Sequence, residues 1–471
     1  MIKRRSSTKW LAIVEGLALA LVLVAALGTA AVGQAAEDFE SAYLIDVPFT
    51  GEFDISSDED VDYFSFWLPV SRYGMMVTLD IDADSLGSGL DSYMAIYDAE
   101  GDEIGSDDDT DGSDPALSGP LADGVYYIAV QGYSGSTGTY TLHVDAAPID
   151  PEVIRLPHAG TADISHEGET DIFAFEAAEA PHGLTVAIDI DAESTGSDLD
   201  SVVYLYDARW EGIEYSDDAD GADPYLTAQV AGGTYYVVVA AYDESIGPYT
   251  LNVDATPIDP DVVRLPYAGM SDIAYEGETD IYAFEVDETP YGLTVVVDID
   301  AESTGSDLDS IVYLYDDKWQ GIGYDDDTDG ADPYLRAHVI GGTYYIVVAG
   351  YDESIGPYAL NVDTSSIEAR CIGLPYSGQS AIEPEEERVL YRVELLDDGT
   401  LVIDIDAEAT GSDLDSYVYL YDEKWTEVAS DDDTDGSDSY IEAAVEAGIY
   451  YIEVTGYGDS TGVYTLTVES L

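Results

Sequence analysis

The amino-acid sequence predicts an all-β protein, a row of four β-sandwich domains behind an N-terminal targeting segment. Two observations carry this. The element Leu-Asp-Ser recurs at 90–92, 199–201, 308–310 and 414–416, at intervals of 109, 109 and 106 residues; a period of that length is the size of a whole domain rather than of a solenoid repeat. Around these markers lie short runs rich in Tyr, Val and Ile that alternate apolar and polar residues with period two. Gly, Asp, Ser and Pro separate them, and no 3.6-residue period appears.

The repeat divides the chain into residues 1–36 and four copies at 37–146, 147–255, 256–363 and 364–471. The links Ala147-Pro148-Ile149-Asp150-Pro151 and Thr256-Pro257-Ile258-Asp259-Pro260 are short and proline-marked, which limits bending between neighbours. In the third copy strands are expected at Asp280–Val286, Leu293–Ile299, Ser310–Tyr315, Tyr334–Val339, Thr343–Ala349 and Tyr358–Val362, with Gly350–Pro357 as a hairpin loop between the last two. No helix is expected beyond the targeting segment.

That segment has a basic start (Lys3, Arg4, Arg5, Lys9), an apolar run from Gly16 to Val32 and small residues near Gln34-Ala35-Ala36, the order of a secretory signal peptide. An uncleaved membrane anchor is the alternative, against which stand the short run and Glu15. Either way the repeats are expected outside the cytoplasm, secreted or at the cell surface. Cys371 is the only cysteine, so no intrachain disulfide holds the domains. Charge is extreme, with 14 Lys+Arg against 99 Asp+Glu and a net −85. Such a chain is repelled by nucleic acid and by anionic membrane. Calcium sites of about six to eight oxygens each do not account for that many acids. Adaptation to high salt, where the Debye length falls to about 3 Å at 1 M, covers the excess.

The order Asp-x-(Tyr/Phe)-x-Phe, Leu-Asp-Ser-x-x-x-x-Tyr-Asp, an Asp-rich loop, Gly-x-Tyr-Tyr-x-x-Val and Gly-x-Tyr-x-Leu resembles the bacterial pre-peptidase C-terminal domain (PPC). In the third copy these are Asp280–Phe284, Leu308–Asp316, Asp325–Gly330, Gly342–Val348 and Gly356–Leu360. The resemblance covers all four copies. It implies a jelly-roll-like sandwich, secretion, frequent calcium binding, and a non-catalytic role in folding, localisation or substrate adhesion. Such domains usually trail a secreted peptidase, whereas here they follow the targeting segment directly. Gly89 replaces the aspartate of the other copies (Asp198, Asp307, Asp413), and Val389 stands where the third copy has Asp280, so the first and fourth copies are expected to carry weaker versions of any site.

The candidate metal ligands are acids in two loops per copy. One loop offers Asp189, Asp191, Asp198 and Asp200 in the second copy, Asp298, Asp300, Asp307 and Asp309 in the third, and Asp404, Asp406, Asp413 and Asp415 in the fourth. The other offers Asp217, Asp218, Asp220 and Asp223, then Asp325, Asp327, Asp329 and Asp332, then Asp431, Asp433 and Asp435. Residues i and i+2 of an extended segment share a face, so pairs of carboxylates are aimed together, and a hard divalent cation relieves their repulsion. This reads as a calcium site pinning two loops, or as a solvated acidic turn in a salt-adapted protein. No EF-hand pattern is present.

No catalytic motif appears. Gly-x-Ser-x-Gly and His-Glu-x-x-His are absent, and the acids lie in polar loops unsuited to raising one member of a glycosidase pair. His158, His166 and His182 exchange with Tyr267, Tyr275 and Tyr291 between copies, so partly buried aromatic positions are expected. Cys371 takes the place of Val262, an expected apolar slot. Each Tyr-Tyr pair (126–127, 235–236, 344–345, 450–451) should put one ring in the core and leave the other for a ligand surface. Trp210, Trp319 and Trp425 are expected to pack under the acidic loop, the alternative being stacking on sugars. The reading is a non-enzymatic, multivalent binding or adhesion protein with calcium-stabilised repeats, engaging an extracellular polymer or a surface protein. The alternative is a structural spacer or envelope protein with no specific ligand.

Overall fold

A computed structural model describes residues 39–471 other than 100, 109, 111–112, 167, 218–222, 243–244, 290, 327–331, 352–353, 384–387, 433, 435–436 and 459. The targeting segment therefore lies outside the described residues. The protein is all-β, with four pairs of sheets, each pair one five-stranded and one four-stranded. Two compact units divide at Ile258/Asp259, and each holds two sheet pairs.

The second copy shows the pattern. Its five-stranded sheet runs Glu152–Val153, Thr170–Ala177, Gly233–Ala241, Ser201–Tyr206, Gly212–Ser216. Its four-stranded sheet runs His158–Ile164, Gly247–Pro257, Leu184–Asp191, Tyr225–Val230. Pairing is antiparallel except for Glu152–Val153, which joins Thr170–Ala177 in parallel at the edge. Leu184–Asp191 explains the sandwich by itself: Leu184, Val186, Ile188 and Ile190 point inward and are buried, while Thr185, Ala187, Asp189 and Asp191 face out. The inward set meets Val203, Leu205, Val237 and Val239 of the opposite sheet. Each such side chain contributes about 1.5–3 kcal/mol on burial.

In the third copy all six expected strands are present, two of them with the expected bounds and the others within four residues at either end. Three more are found: Asp261–Val262, Tyr267–Ile273 and Gly321–Asp325. The segment Gly350–Pro357 is not a hairpin. The strand before it belongs to the five-stranded sheet and the strand after it to the four-stranded one, so the chain crosses between sheets there. The expectation of no helix also needs correction. Among the described residues there are 3-10 helices of three residues each, such as Glu193–Thr195 and Glu302–Thr304, closed by Gly196 and Gly305 at φ +78° and +77°.

Candidate functional site

The outward-facing pairs of acids lie as their spacing requires. Asp189 and Asp191 share the outer face of one sheet, as do Asp298 with Asp300 and Asp404 with Asp406. Their oxygens, however, already have work within the fold. Asp189 and Asp298 accept from the amides of Asn252 and Asn361, at 3.1 and 3.2 Å. Asp191, Asp300 and Asp406 accept the backbone N–H of Ser194, Ser303 and Ala409 and so cap the 3-10 turn. Asp223 and Asp332, almost fully buried, each accept two backbone N–H groups at the start of that same turn from the neighbouring strand's loop. Asp325 and Asp431 reach over their loops to the N–H of Tyr334 and Tyr440. The carbonyls of Asp200, Asp309 and Asp415 accept from Tyr242, Tyr351 and Tyr457, while Asp198, Asp307 and Asp413 are exposed. Asp217 is half-buried beside the acidic loop. Asp218, Asp220, Asp327, Asp329, Asp433 and Asp435 lie outside the described residues. Among the described residues no three His, Cys, Asp or Glu side chains come together to hold a metal ion. The described carboxylates alone do not make a calcium cage.

Sequence reasoning missed two members of the turn-capping set, Asp114 and Asp438, which accept from Ala83 and Asp84 and from Ala407 and Glu408. Their positions match Asp223 and Asp332, and that alignment could have found them. It also missed a recurring Tyr–Asp bond. The tyrosine of Gly-x-Tyr-x-Leu donates to the aspartate of Asp-x-(Tyr/Phe)-x-Phe: Tyr140 to Asp62 at 2.6 Å, Tyr249 to Asp171 at 2.7 Å, Tyr358 to Asp280 at 2.6 Å. In the fourth copy, which has Val389 there, Tyr464 meets the hydroxyl of Tyr391 instead. The Val389 departure thus concerns a structural bond and not the acidic loops. Burial pushes the Asp62 carboxyl up to about 6, with Asp60 and Asp54 adding to it and the Tyr140 hydrogen bond opposing.

The tryptophans are buried, as expected, and their packing partner is a tyrosine ring. Each stacks on the second tyrosine of the Tyr-Tyr pair: Trp210 on Tyr236 with centroids 4.1 Å apart, Trp319 on Tyr345 at 4.4 Å, Trp425 on Tyr451 at 4.3 Å. Both members of these pairs are therefore buried, and the second ring is no ligand surface. In the first unit, Trp210 Nε1 donates 3.0 Å to the carbonyl of Tyr73, joining the second copy to the first over Met76, Ile149 and Ile172. In the second unit, Trp425 Nε1 donates 3.2 Å to the carbonyl of Tyr291. All three tryptophans have left-handed backbones, φ +63° to +65°. That conformation costs about 1–2 kcal/mol in a residue with a Cβ.

Cys371 is exposed, as are Leu44, Val153 and Val262 at the same place. The position faces outward on a two-residue edge strand and is no core slot. Position 166 is likewise exposed, as is Tyr275 at its counterpart. Ser165, His166 and Glu169 cluster within hydrogen-bond reach, but Ser56–Asp60 and Ala274–Glu278 build the same turn without a histidine. The cluster is a turn cap and not a nucleophile with its base.

Residues 169–241 and 387–456 match the model of the bacterial pre-peptidase C-terminal domain. The second and fourth copies are pre-peptidase C-terminal domains. The first and third PPC-like copies repeat their strand order, strand for strand. A probable subtilase-type serine protease of Deinococcus radiodurans is 36% identical over 73 residues, 15% of this chain and 10% of that protein, so the match spans about a tenth of that relative. Among solved structures, the pre-peptidase C-terminal domain of a Bacillus anthracis collagenase is similar at 21% identity over 23% of this chain and 98% of its own, with a TM-score of 0.20. A periplasmic inhibitor of g-type lysozyme from Aeromonas hydrophila is similar at 16% identity over 23% of this chain and 100% of its own, with a TM-score of 0.16. Among the described residues no helix is long and apolar enough to cross a membrane.

Proposed function

We propose that this protein is an extracellular, non-enzymatic binding protein whose four copies engage one polymer or surface protein together. One observation supports this above the others. A half-exposed tyrosine, 44–54% accessible, stands at one structural position in every copy: Tyr133, Tyr242, Tyr351 and Tyr457. Each is fixed beside the acidic loop by its backbone N–H, which donates to the carbonyl of the Leu-Asp-Ser aspartate at 2.7–2.8 Å. Four such rings on one chain turn weak contacts into avidity through effective concentration. The test is an array of glycans and extracellular matrix proteins probed with the full chain and then with variants carrying Tyr→Ala at one to four of these positions. Apparent affinity should fall stepwise with each ring removed. Retained binding in the four-position variant would overturn the reading.

The spacer reading is favoured by a different observation, the tryptophan-docked junction within each unit. Under that reading the −85 charge is an adaptation to high salt, and melting temperature should rise from dilute buffer to molar potassium chloride. Calcium enters either reading as a stabiliser of the acidic loops. The support is the sequence spacing, and the ligands would have to come largely from Asp218, Asp220, Asp327, Asp329, Asp433 and Asp435. Calorimetric titration with calcium, and with magnesium as the comparator, tests it.

A further inference from the structure

Within the first unit a cavity of about 340 Å³ opens where the second copy meets the first. Met76, Ile172 and Phe173 are its apolar lining, and Asp150, Glu152 and Asp171 give it carboxylates. Among the described residues no Lys, Arg or His lines it. Burial holds the Asp171 carboxyl above its usual range, with the charges of Glu169, Glu152 and Asp163 adding to the effect and the Tyr249 hydrogen bond opposing. Negative charge is therefore concentrated here against a low-dielectric wall. The acids do not converge as a metal chelate. A hydrated inorganic ion gains nothing from Met76, Ile172 and Phe173, whereas a cation with a hydrocarbon body gains from both linings.

The fourth copy shows what the same place can hold. Strand register sets Arg370 beside Tyr391 where the second copy has Glu152 beside Phe173. The Arg370 guanidinium donates 2.6 Å to Ser380 and lies 5.7 Å over the Tyr391 ring. Ser380 pairs with Tyr464 as the cavity-lining Ala162 pairs with Tyr249. A guanidinium thus occupies, in one copy, the space between the positions that wall the cavity in another. Where the chain supplies its own cation, Glu152 and Asp171 are replaced by Arg370 and Val389. In the second copy, which keeps the acids, the space is open.

We propose that the cavity between the first and second copies is a binding site for a small organic cation, an alkylguanidinium or alkylammonium group, held by Glu152 and Asp171 over the ring of Phe173. The probe is n-butylguanidinium chloride, titrated calorimetrically into the full chain at fixed ionic strength, with sodium chloride and n-butanol as comparators. One saturable site per chain is expected for the guanidinium and none for the comparators. Glu152→Gln, at an exposed edge position where folding is not at stake, should weaken binding at least tenfold. Glu152→Arg with Ala162→Ser installs the fourth copy's arrangement and should abolish it, while the exposed control Glu469→Gln should leave it unchanged. A tetra-arginine peptide separates the sources. Tighter, Glu152-dependent binding of the peptide assigns the site to an arginine of a partner protein, and exclusion of the peptide while the free cation binds assigns it to a solute. Absence of a saturable component, or wild-type affinity in Glu152→Gln, overturns the proposal.

Discussion

Glu453 offers the sharpest test of how the second unit is held together. It lies in the middle of the strand Gly448–Gly456 and is 1% exposed. Arg388 Nη1 donates to one carboxylate oxygen, and His338 Nε2 lies 2.6 Å from the other. His338 also packs on Trp425, 4.2 Å between centroids. The second copy has Val238 where the fourth has Glu453, with Thr170 for Arg388, and Gln229 stands where the third copy has His338. Glu453→Val therefore removes the acceptor that Arg388 and His338 share and leaves the rest of the fold with a residue it tolerates elsewhere. Breaking a buried pair from one side costs about 3–5 kcal/mol, and the one-third exposure of Arg388 favours the lower end. Burial alone would raise the Glu453 carboxyl, yet the His338 hydrogen bond and the Arg388 charge outweigh it and hold the group at about 2, against an ordinary 4.5. At 1.36 kcal/mol per unit that is again about 3 kcal/mol. The folded pKa is depressed, so this contribution is present above about pH 4.5 and is lost as pH falls toward 2. For a unit of about 200 residues, 3 kcal/mol lowers the melting temperature by about 6–12 °C. Differential scanning calorimetry of the full chain at pH 7 should show one transition shifted by that amount in Glu453→Val. The triple variant Glu453→Val, Arg388→Thr, His338→Gln should recover most of it. A single variant within 1 kcal/mol of wild type, or a triple variant no better than the single, would refute the reasoning.

Asp62 should act with the opposite sign. Its folded pKa of about 6 lies above the ordinary 3.8, so its contribution is present below about pH 3.8 and is lost as pH rises through 6. Asp62→Asn should remove up to about 3 kcal/mol of that dependence between pH 4 and 6, read as the difference between wild-type and variant melts across pH. Gly74→Ala places a Cβ 2.5 Å from Trp210 Nε1 and 2.7 Å from the Leu121 carbonyl, at φ +80°. On the order of 2 kcal/mol or more should be lost, with a red shift of tryptophan emission as the Trp210–Tyr73 junction loosens. The hydroxyls of Ser201 and Ser310 are buried without a partner among the described residues, whereas Ser416 meets Ser439 at 2.7 Å. Ser201→Ala should be neutral or stabilising by about 1 kcal/mol, and Ser416→Ala destabilising, by chemical denaturation.

The strands legible in the sequence are those that bury one face, because burial forces the period-two pattern that Leu293–Asp300 displays. Those it hid are edge or outer strands. Gly321–Asp325 carries two glycines and no buried residue, and Asp261–Val262 is two residues long with both side chains exposed. The candidate site divides along a similar line. Spacing correctly set Asp298 and Asp300 on one face, since that is a local property of an extended chain. It could not show that the oxygens of Asp332 are taken by N–H groups of Ala301 and Glu302, about 30 residues away, or that Asp280 serves Tyr358, 78 residues on. The Tyr-Tyr pairs misled for the same reason. Alternation did place the second ring outside the sandwich, but a tryptophan of the same copy covers it.

The first copy shows why those tryptophans tolerate a strained backbone. At the position of Trp210 it has Gly101, whose φ of +87° costs nothing. The rings that would otherwise be bare, Tyr97 and Tyr127, correspond to Tyr206 and Tyr236, on which Trp210 lies. In the first copy Phe39 covers them, 5.1 Å from Tyr97, 5.4 Å from Tyr127 and 4.7 Å from Tyr63. A ring over this tyrosine platform is thus common to all copies, and in the second and fourth copies the left-handed tryptophan also donates a hydrogen bond to the neighbouring copy of its unit. Phe39→Ala should cost about 1–2 kcal/mol, less than a fully buried phenylalanine because its ring is half-buried. Phe39→Trp should retain stability. Limited proteolysis should then cut near residues 39–44 in the alanine variant and spare the tryptophan variant. If Phe39→Ala melts within 0.5 °C of wild type and its cleavage pattern is unchanged, the platform does not need its cover, and another reason must be found for a tryptophan at positive φ.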